Sequence, residues 1–236
     1  MKSDVDLIIC WPVSVDYPLW REFIKVHRQF FNKVIVVFTK TNQGFNYESF
    51  VQDSMKDEDI TFLSSRELKA NEDWRNVAVN EALELSSSNW IWFTEQDLFV
   101  IHTAFWPMIA RFMLEFDAIG YQDGATRLHP SNLWVKREWI EKTGKDFGIV
   151  PNVKDHFARF FTSLRLSGAK IKKLDDPSPY FYHMNGLSHN WSLLERNEEI
   201  TYKPDEFKGY LELCLKQDNL DPRFKEIAER GVKSNV

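Results

Sequence analysis

Two hydrophobic periods alternate along the first hundred positions. Continuous apolar runs at residues 7–11, Lys33–Thr39 and Trp90–Thr94 read as short strands covered on both faces, because a strand with one wet face alternates apolar and polar residues. Between them apolar residues recur at helical spacing. Leu19, Phe23, Val26 and Phe30 predict one amphipathic helix over 19–31, and Val77, Ala78, Ala82 and Leu85 predict another over 73–85. A weaker helix at 47–55 leads to a strand at 60–63. This order predicts an α/β fold with a single Rossmann-like, mostly parallel sheet flanked by helices. Ligands of such sheets bind beyond the carboxyl ends of the strands, here residues 12–16, 40–42 and 95–97.

The pattern changes after residue 100. Helices are expected at 106–115, 137–143 and 154–167, the last closing on Gly168, and strands at 117–121, 132–136, 170–174 and 180–183. The charged segment 203–233 reads as a mostly helical C-terminal tail. The expected organisation is a core over 1–190 and a tail over 191–236 packed on its outside. Within the core, a nucleotide-binding half would cover about 1–100 and an acceptor half 101–190.

Composition narrows the function classes. Aromatic residues make up 15% of the 236 residues, with nine Trp, which is incompatible with a disordered chain. Thirty basic residues against 35 acidic ones give a net charge of −5, so the chain lacks an overall nucleic-acid footprint. Cys10 and Cys214 are too few for a disulfide framework or a zinc cluster, and Cys10, inside an apolar run, reads as a buried thiol. No apolar stretch approaches the ~20 residues of a membrane span, and the acidic start Met1 to Asp6 lacks signal-peptide order. A cytoplasmic protein is expected.

Neither a Gly-x4-Gly-Lys phosphate loop nor a glycine fingerprint after the first strand occurs. The sharpest feature is Glu95-Gln96-Asp97, two carboxylates leaving the end of an apolar strand. In extended geometry residues i and i+2 share a face, and such a pair can hold Mg²⁺ or Mn²⁺ through one or two oxygens. Upstream, Arg75-Asn76-x-Ala78 and Asn80-Glu81-Ala82 open the helix that leads into this strand. Together with the acid-x-Asp, these motifs resemble the core of nucleotide-sugar glycosyltransferases with the A-type fold, most closely family 2-like members, over about residues 5–190.

The resemblance implies a nucleoside-diphosphate sugar donor and a Mn²⁺ or Mg²⁺ cofactor. It points to Asp155, ahead of Arg165-Leu-Ser-Gly168-Ala-Lys-Ile171, as the general base of an inverting reaction. A late His completes the metal or diphosphate site in similar proteins. His183 is the first choice beside Asp97 and Glu95, with His189 as runner-up in a loop that also holds Trp191. Pro12, Asp16, Tyr17, Thr39 and Arg75 would contact the donor, and Arg127, His129 and Trp191 the acceptor. The acid that family members carry after the second strand is missing, since Thr39-Lys40-Thr41-Asn42 stands there.

The acceptor stays open among a glycan, a small molecule and a hydroxymethylated base of DNA, for which Lys136, Arg137, Arg159, Arg165, Lys170, Lys172 and Lys173 could form a basic groove. A non-catalytic carbohydrate- or partner-binding module is the reading from another class. The oligomeric state is not encoded in any of these motifs.

Overall fold

The computed structural model describes residues 4–39, 45–70, 72–123, 127–148, 157–174, 180–184 and 186–233. In chain order the first half runs β1 (Val5–Pro12), α1 (Pro18–His27), β2 (Lys33–Thr39), α2 (Glu48–Ser54), β3 (Thr61–Ser64), α3 (Trp74–Leu85) and β4 (Trp90–Thr94). The second half runs β5 (Leu98–Val100), α4 (Phe105–Glu115), β6 (Ala118–Asp123), β7 (Arg127–Lys136), α5 (Arg137–Thr143), α6 (Ala158–Leu166), β8 (Ile171–Leu174) and β9 (Phe181–His183). Three helices close the chain: α7 (Leu187–Glu195), α8 (Pro204–Cys214) and α9 (Pro222–Lys233).

Seven strands form one sheet in the order β3-β2-β1-β4-β7-β6-β8. All neighbours are parallel except those of β7, which runs antiparallel to both β4 and β6. The strands alternate their side chains between two cores. Leu7, Ile9, Trp11, Val34, Val36, Phe38 and Trp92 face α1, α4 and the C-terminal helices. Ile8, Ile35, Val37, Ile91 and Phe93 face α3, α5 and α6. Both faces are covered, which is why these strands read as unbroken apolar runs.

One buried acid fastens the strand starts together. Asp6 is 0% exposed, yet its carboxylate accepts hydrogen bonds from Asn32 Nδ2, Lys33 N, Ser86 Oγ, Ser87 N and both the amide and hydroxyl of Ser88, at 2.7–3.2 Å. The loop entering β4 is thereby tied to β1 and β2. Burial alone would raise the pKa of this carboxyl, but the donors of Ser88, Ser86 and Ser87 outweigh it and hold it below 3.8.

Several sequence expectations need correction. Along α1 the buried residues are Pro18, Trp20, Arg21 and Ile24, with Leu19 and Phe23 partly buried against the same core, whereas Val26 is 63% and Phe30 41% exposed. The α-helix tightens into a 3₁₀ turn at Arg28–Phe30, which takes Phe30 out of the 3.6-residue phase. Arg21 can point inward because it forks onto Asp16, with Nε–Oδ1 and Nη2–Oδ2 both at 2.9 Å. The boundary at residue 190 falls inside α7. Of the tail, Phe207, Tyr210, Leu211, Phe224 and Ile227 belong to the same core as β1 and β2. A Cβ on Gly231 would lie 2.7 Å from Leu194 Cδ2 and 2.8 Å from Leu211 Cδ1, so α9 presses closely on α7 and α8.

Candidate functional site

The site begins with the aromatic packing under β4. Trp92 stacks on Trp134 of β7 at 4.6 Å, and both indole N–H groups donate to the buried Asn132 Oδ1 at 2.9 and 3.1 Å. This satisfied, rigid pair delivers the chain at Glu95, beyond the carboxyl end of β4 and beside that of β1. The strand order reverses between β1 and β4, and such a reversal opens a crevice.

Residues 95–97 are not extended, as the i, i+2 argument supposed. They form a turn in which Leu98 N donates to Glu95 O at 3.3 Å. The chain then enters β5, which pairs antiparallel with β9 so that Leu98 lies opposite His183. Met184 N donates to Asp97 O at 2.8 Å. This two-stranded ladder sets His183 beside Asp97, with Nε2 3.3 Å from Oδ1. One ligand atom each from Glu95, Asp97 and His183 lies within 4.8 Å of the others.

Two carboxylates and an imidazole suit Mn²⁺, and an oxygen-rich shell completed by water or phosphate suits Mg²⁺. The hydroxyl of Tyr121, on β6, lies 2.7 Å from His183 Nδ1. With Nδ1–H donating to that hydroxyl, Nε2 turns its lone pair toward Asp97, the orientation a metal-binding histidine needs. The residues present therefore fit a divalent cation.

Asp73 caps α3, its side chain accepting from Arg75 N and Asn76 N, and so sets Trp74 and Arg75 at the crevice. Arg75 forms an ion pair with Glu95 and lays its guanidinium 4.9 Å from the centre of the Trp74 ring. Cys10 sits nearby, and burial pushes its thiol up to about 11, which keeps it neutral. A cleft of about 490 Å³ results. It is walled by Cys10 and Pro12 of β1, Ser14 just beyond it, Trp74 and Arg75 of α3, the 95–97 turn, and Ser188, His189 and Ser192 of α7.

The predicted residues separate accordingly. Pro12, Arg75, Glu95, Asp97 and His189 line the cleft, and His183 completes the acid cluster. Asp16 and Tyr17 are not at the cleft surface. Both are 0% exposed; Asp16 is consumed by Arg21, and Tyr17 is sealed beneath the site. Thr39 is buried too, at 4%. Trp191 offers no ring to an acceptor, because it is 0% exposed and stacks on Phe224 at 4.5 Å. The segment holding it is helix α7, capped by Gly186 at φ +74°, where the sequence suggested a loop. Arg127 and His129 lie in β7, and their side chains fall outside what is described. Asp155 and residues 40–44 lie outside the described residues altogether.

Sequence reasoning gave no individual role to Tyr121, Gln96 or Ser188 and missed Ser192. For Tyr121 no local signal exists. For α7 one does: Leu187, Trp191 and Leu194 recur at helical spacing and are all buried.

Together the sheet order, the crevice and the acid turn define an A-type glycosyltransferase-like fold. Comparison with solved structures bears this out. The mannosyltransferase PcManGT from Pyrobaculum calidifontis, in complex with GDP-Man and Mn²⁺, aligns with a TM-score of 0.55 at 13% identity, covering 98% of this chain and 70% of that one. TarS 1–349 from S. aureus aligns at 0.53 and 15% identity, covering 97% and 69%. Glucosyl-3-phosphoglycerate synthase from Mycobacterium tuberculosis, in complex with phosphoglyceric acid, aligns at 0.52 and 12%, covering 83% and 78%. No protein-family model and no curated protein matches the sequence. Among the described residues no helix is long and apolar enough to cross a membrane.

Proposed function

We propose that the protein is a metal-dependent, inverting glycosyltransferase that moves a sugar from a nucleoside-diphosphate donor to an acceptor hydroxyl. The observation that carries this reading is the convergence of Glu95, Asp97 and His183 at the point where the strand order reverses. The solved mannosyltransferase of the same fold holds GDP-Man and Mn²⁺, which supports a nucleotide sugar and a divalent cation as the ligands to test first.

Asp97 and His183 would hold the cation directly. Glu95, tied to Arg75, would join them from the same turn. A bound Mn²⁺ or Mg²⁺ supplies charge neutralisation for the departing diphosphate. Arg75 stays charged in its partly buried setting and adds a fixed positive group on the same side of the cleft. Pro12 and Ser14 form the wall against which the nucleoside lies, and Trp74 offers a ring beside it. Asp155 is assigned to take the acceptor proton, on the strength of its place ahead of α6. His189 and Ser192 on α7 remain to contact diphosphate or sugar oxygens.

The test is a melting-temperature screen of nucleotide sugars with and without Mn²⁺. A donor at a hundred times its Kd stabilises the folded state by about 2.7 kcal/mol. The expected result is a shift seen only with the metal and lost in Asp97→Ala. Equal shifts without metal, or no shift from any donor with Mn²⁺ present, would overturn the assignment.

A further inference from the structure

We infer that Tyr17 is a positioning residue whose hydroxyl holds the acid turn and helix α7 in register across the cleft. This rests on the metal-dependent reading above. Tyr17 caps the start of α1 and is 0% exposed, so it touches no ligand. Its hydroxyl accepts from Gln96 Nε2 at 3.0 Å and lies 2.9 Å from Ser188 Oγ. Gln96 is the middle residue of Glu95-Gln96-Asp97, and Ser188 is on the helix that carries His189 and Ser192. One oxygen thus joins the turn bearing two carboxylates to the opposite wall.

The post itself is rigid. The Tyr17 ring meets Trp11 edge-on at 5.2 Å. Trp11 Nε1 in turn donates to Val15 O at 3.0 Å, Val13 N to Thr39 O at 3.1 Å and Tyr47 N to Val13 O at 2.8 Å. The loop before Tyr17 is therefore anchored on β2 and on the entry to α2. Gln96 is 7% exposed, so its side chain has little freedom to replace the lost bond with water. Without this bond the turn keeps the Arg75–Glu95 pair and the Met184 N–Asp97 O bond but loses the anchor of its middle residue, and a site built from two carboxylates and a histidine loses affinity with small misplacements. The phenol is kept neutral, since burial pushes its pKa far up, and it therefore acts as a donor and acceptor of hydrogen bonds only.

Tyr17→Phe keeps the ring against Trp11 and removes only the oxygen. Mn²⁺ titration of the protein without substrate, followed by electron paramagnetic resonance, is expected to show affinity about tenfold weaker than wild type. Donor KM should rise by more than kcat falls. Ile140→Val, a core change on the opposite face of the sheet, should lower the melting temperature with no change in Mn²⁺ affinity, which separates positioning from general destabilisation. Gln96→Leu cuts the same bond from the other side, and the double variant should cost no more Mn²⁺ affinity than either single change. If Tyr17→Phe does not fold, Gln96→Leu alone reads the bond. Wild-type Mn²⁺ binding with unchanged affinity in both variants would overturn the role of Tyr17 alone. Absence of Mn²⁺ binding in the wild type would overturn the metal reading, and this inference with it.

Discussion

Asp6→Asn is the sharpest test of how the site's foundation is built. The change preserves shape and removes one acceptor. In the native protein Oδ1 accepts from Asn32, Lys33 and the Ser88 hydroxyl, while Oδ2 accepts from the Ser86 hydroxyl and the amides of Ser87 and Ser88. A hydroxyl can rotate to accept from the new NH₂ group, but a backbone N–H cannot. With the amide nitrogen in the Oδ2 position, Ser87 N and Ser88 N lose their partner. Flipped, it confronts Lys33 N instead, while the Asn32 side-chain amide can turn its own oxygen to the new NH₂ group. At least one backbone donor is orphaned either way, at about 1–3 kcal/mol each, so the loss is about 2 kcal/mol or more. That is a large share of the roughly 5–15 kcal/mol that holds a domain folded.

Urea unfolding at neutral pH should show a midpoint lower by roughly 1 M or more with an unchanged slope. The pH dependence follows from the depressed pKa. The contribution of Asp6 is complete above its unfolded value near 3.8 and fades as pH falls through the lower folded value. The gap between wild type and variant should therefore be flat from about pH 5 to 8 and narrow below about pH 4. A loss under about 0.5 kcal/mol, the scale of ordinary surface changes, or a gap that widens in acid would refute the reasoning.

Two further outcomes probe the cleft. Tyr121→Phe removes the hydroxyl that orients His183 and should weaken Mn²⁺ binding about 10- to 100-fold, read by calorimetric titration, while the ring stays packed on Phe181. Trp191→Ala should cost about 3–5 kcal/mol of stability by opening a cavity beside Phe224. Once corrected for the folded fraction, its acceptor KM should match wild type; a selective rise in that KM would return Trp191 to the binding surface.

What the sequence disclosed follows from the range of the forces involved. Strands β1, β2 and β4 were legible because burial on both faces writes itself as an apolar run. Helix α3 was legible because its apolar residues repeat within one segment. The antiparallel course of β7 was not, since a strand's direction depends on its neighbours. Strand β5 is three residues long and exists through its pairing with β9, so no local period marks it. Asp16, Tyr17 and Trp191 were misassigned for a common reason. A polar or aromatic residue near a strand end looks like a ligand contact, and the partners that bury it, Arg21, Ser188 and Phe224, are distant in sequence or polar themselves.

The short β5–β9 ladder also bears on how the two expected halves relate. A division near residue 100 would place Glu95 and Asp97 in one half and His183 in the other. The ladder crosses that division, with Leu98 opposite His183 and Val100 opposite Phe181. Its last rung, the bond from Met184 N to Asp97 O, fixes the backbone of the acid turn directly. Tyr121 ties the same histidine to β6, and Tyr17 ties the turn to α1 and α7. The cluster is therefore a product of the folded sheet and of neither half alone. A fragment ending near residue 100 would retain both carboxylates in sequence while lacking the strand that holds Asp97 in place and the imidazole that completes the set.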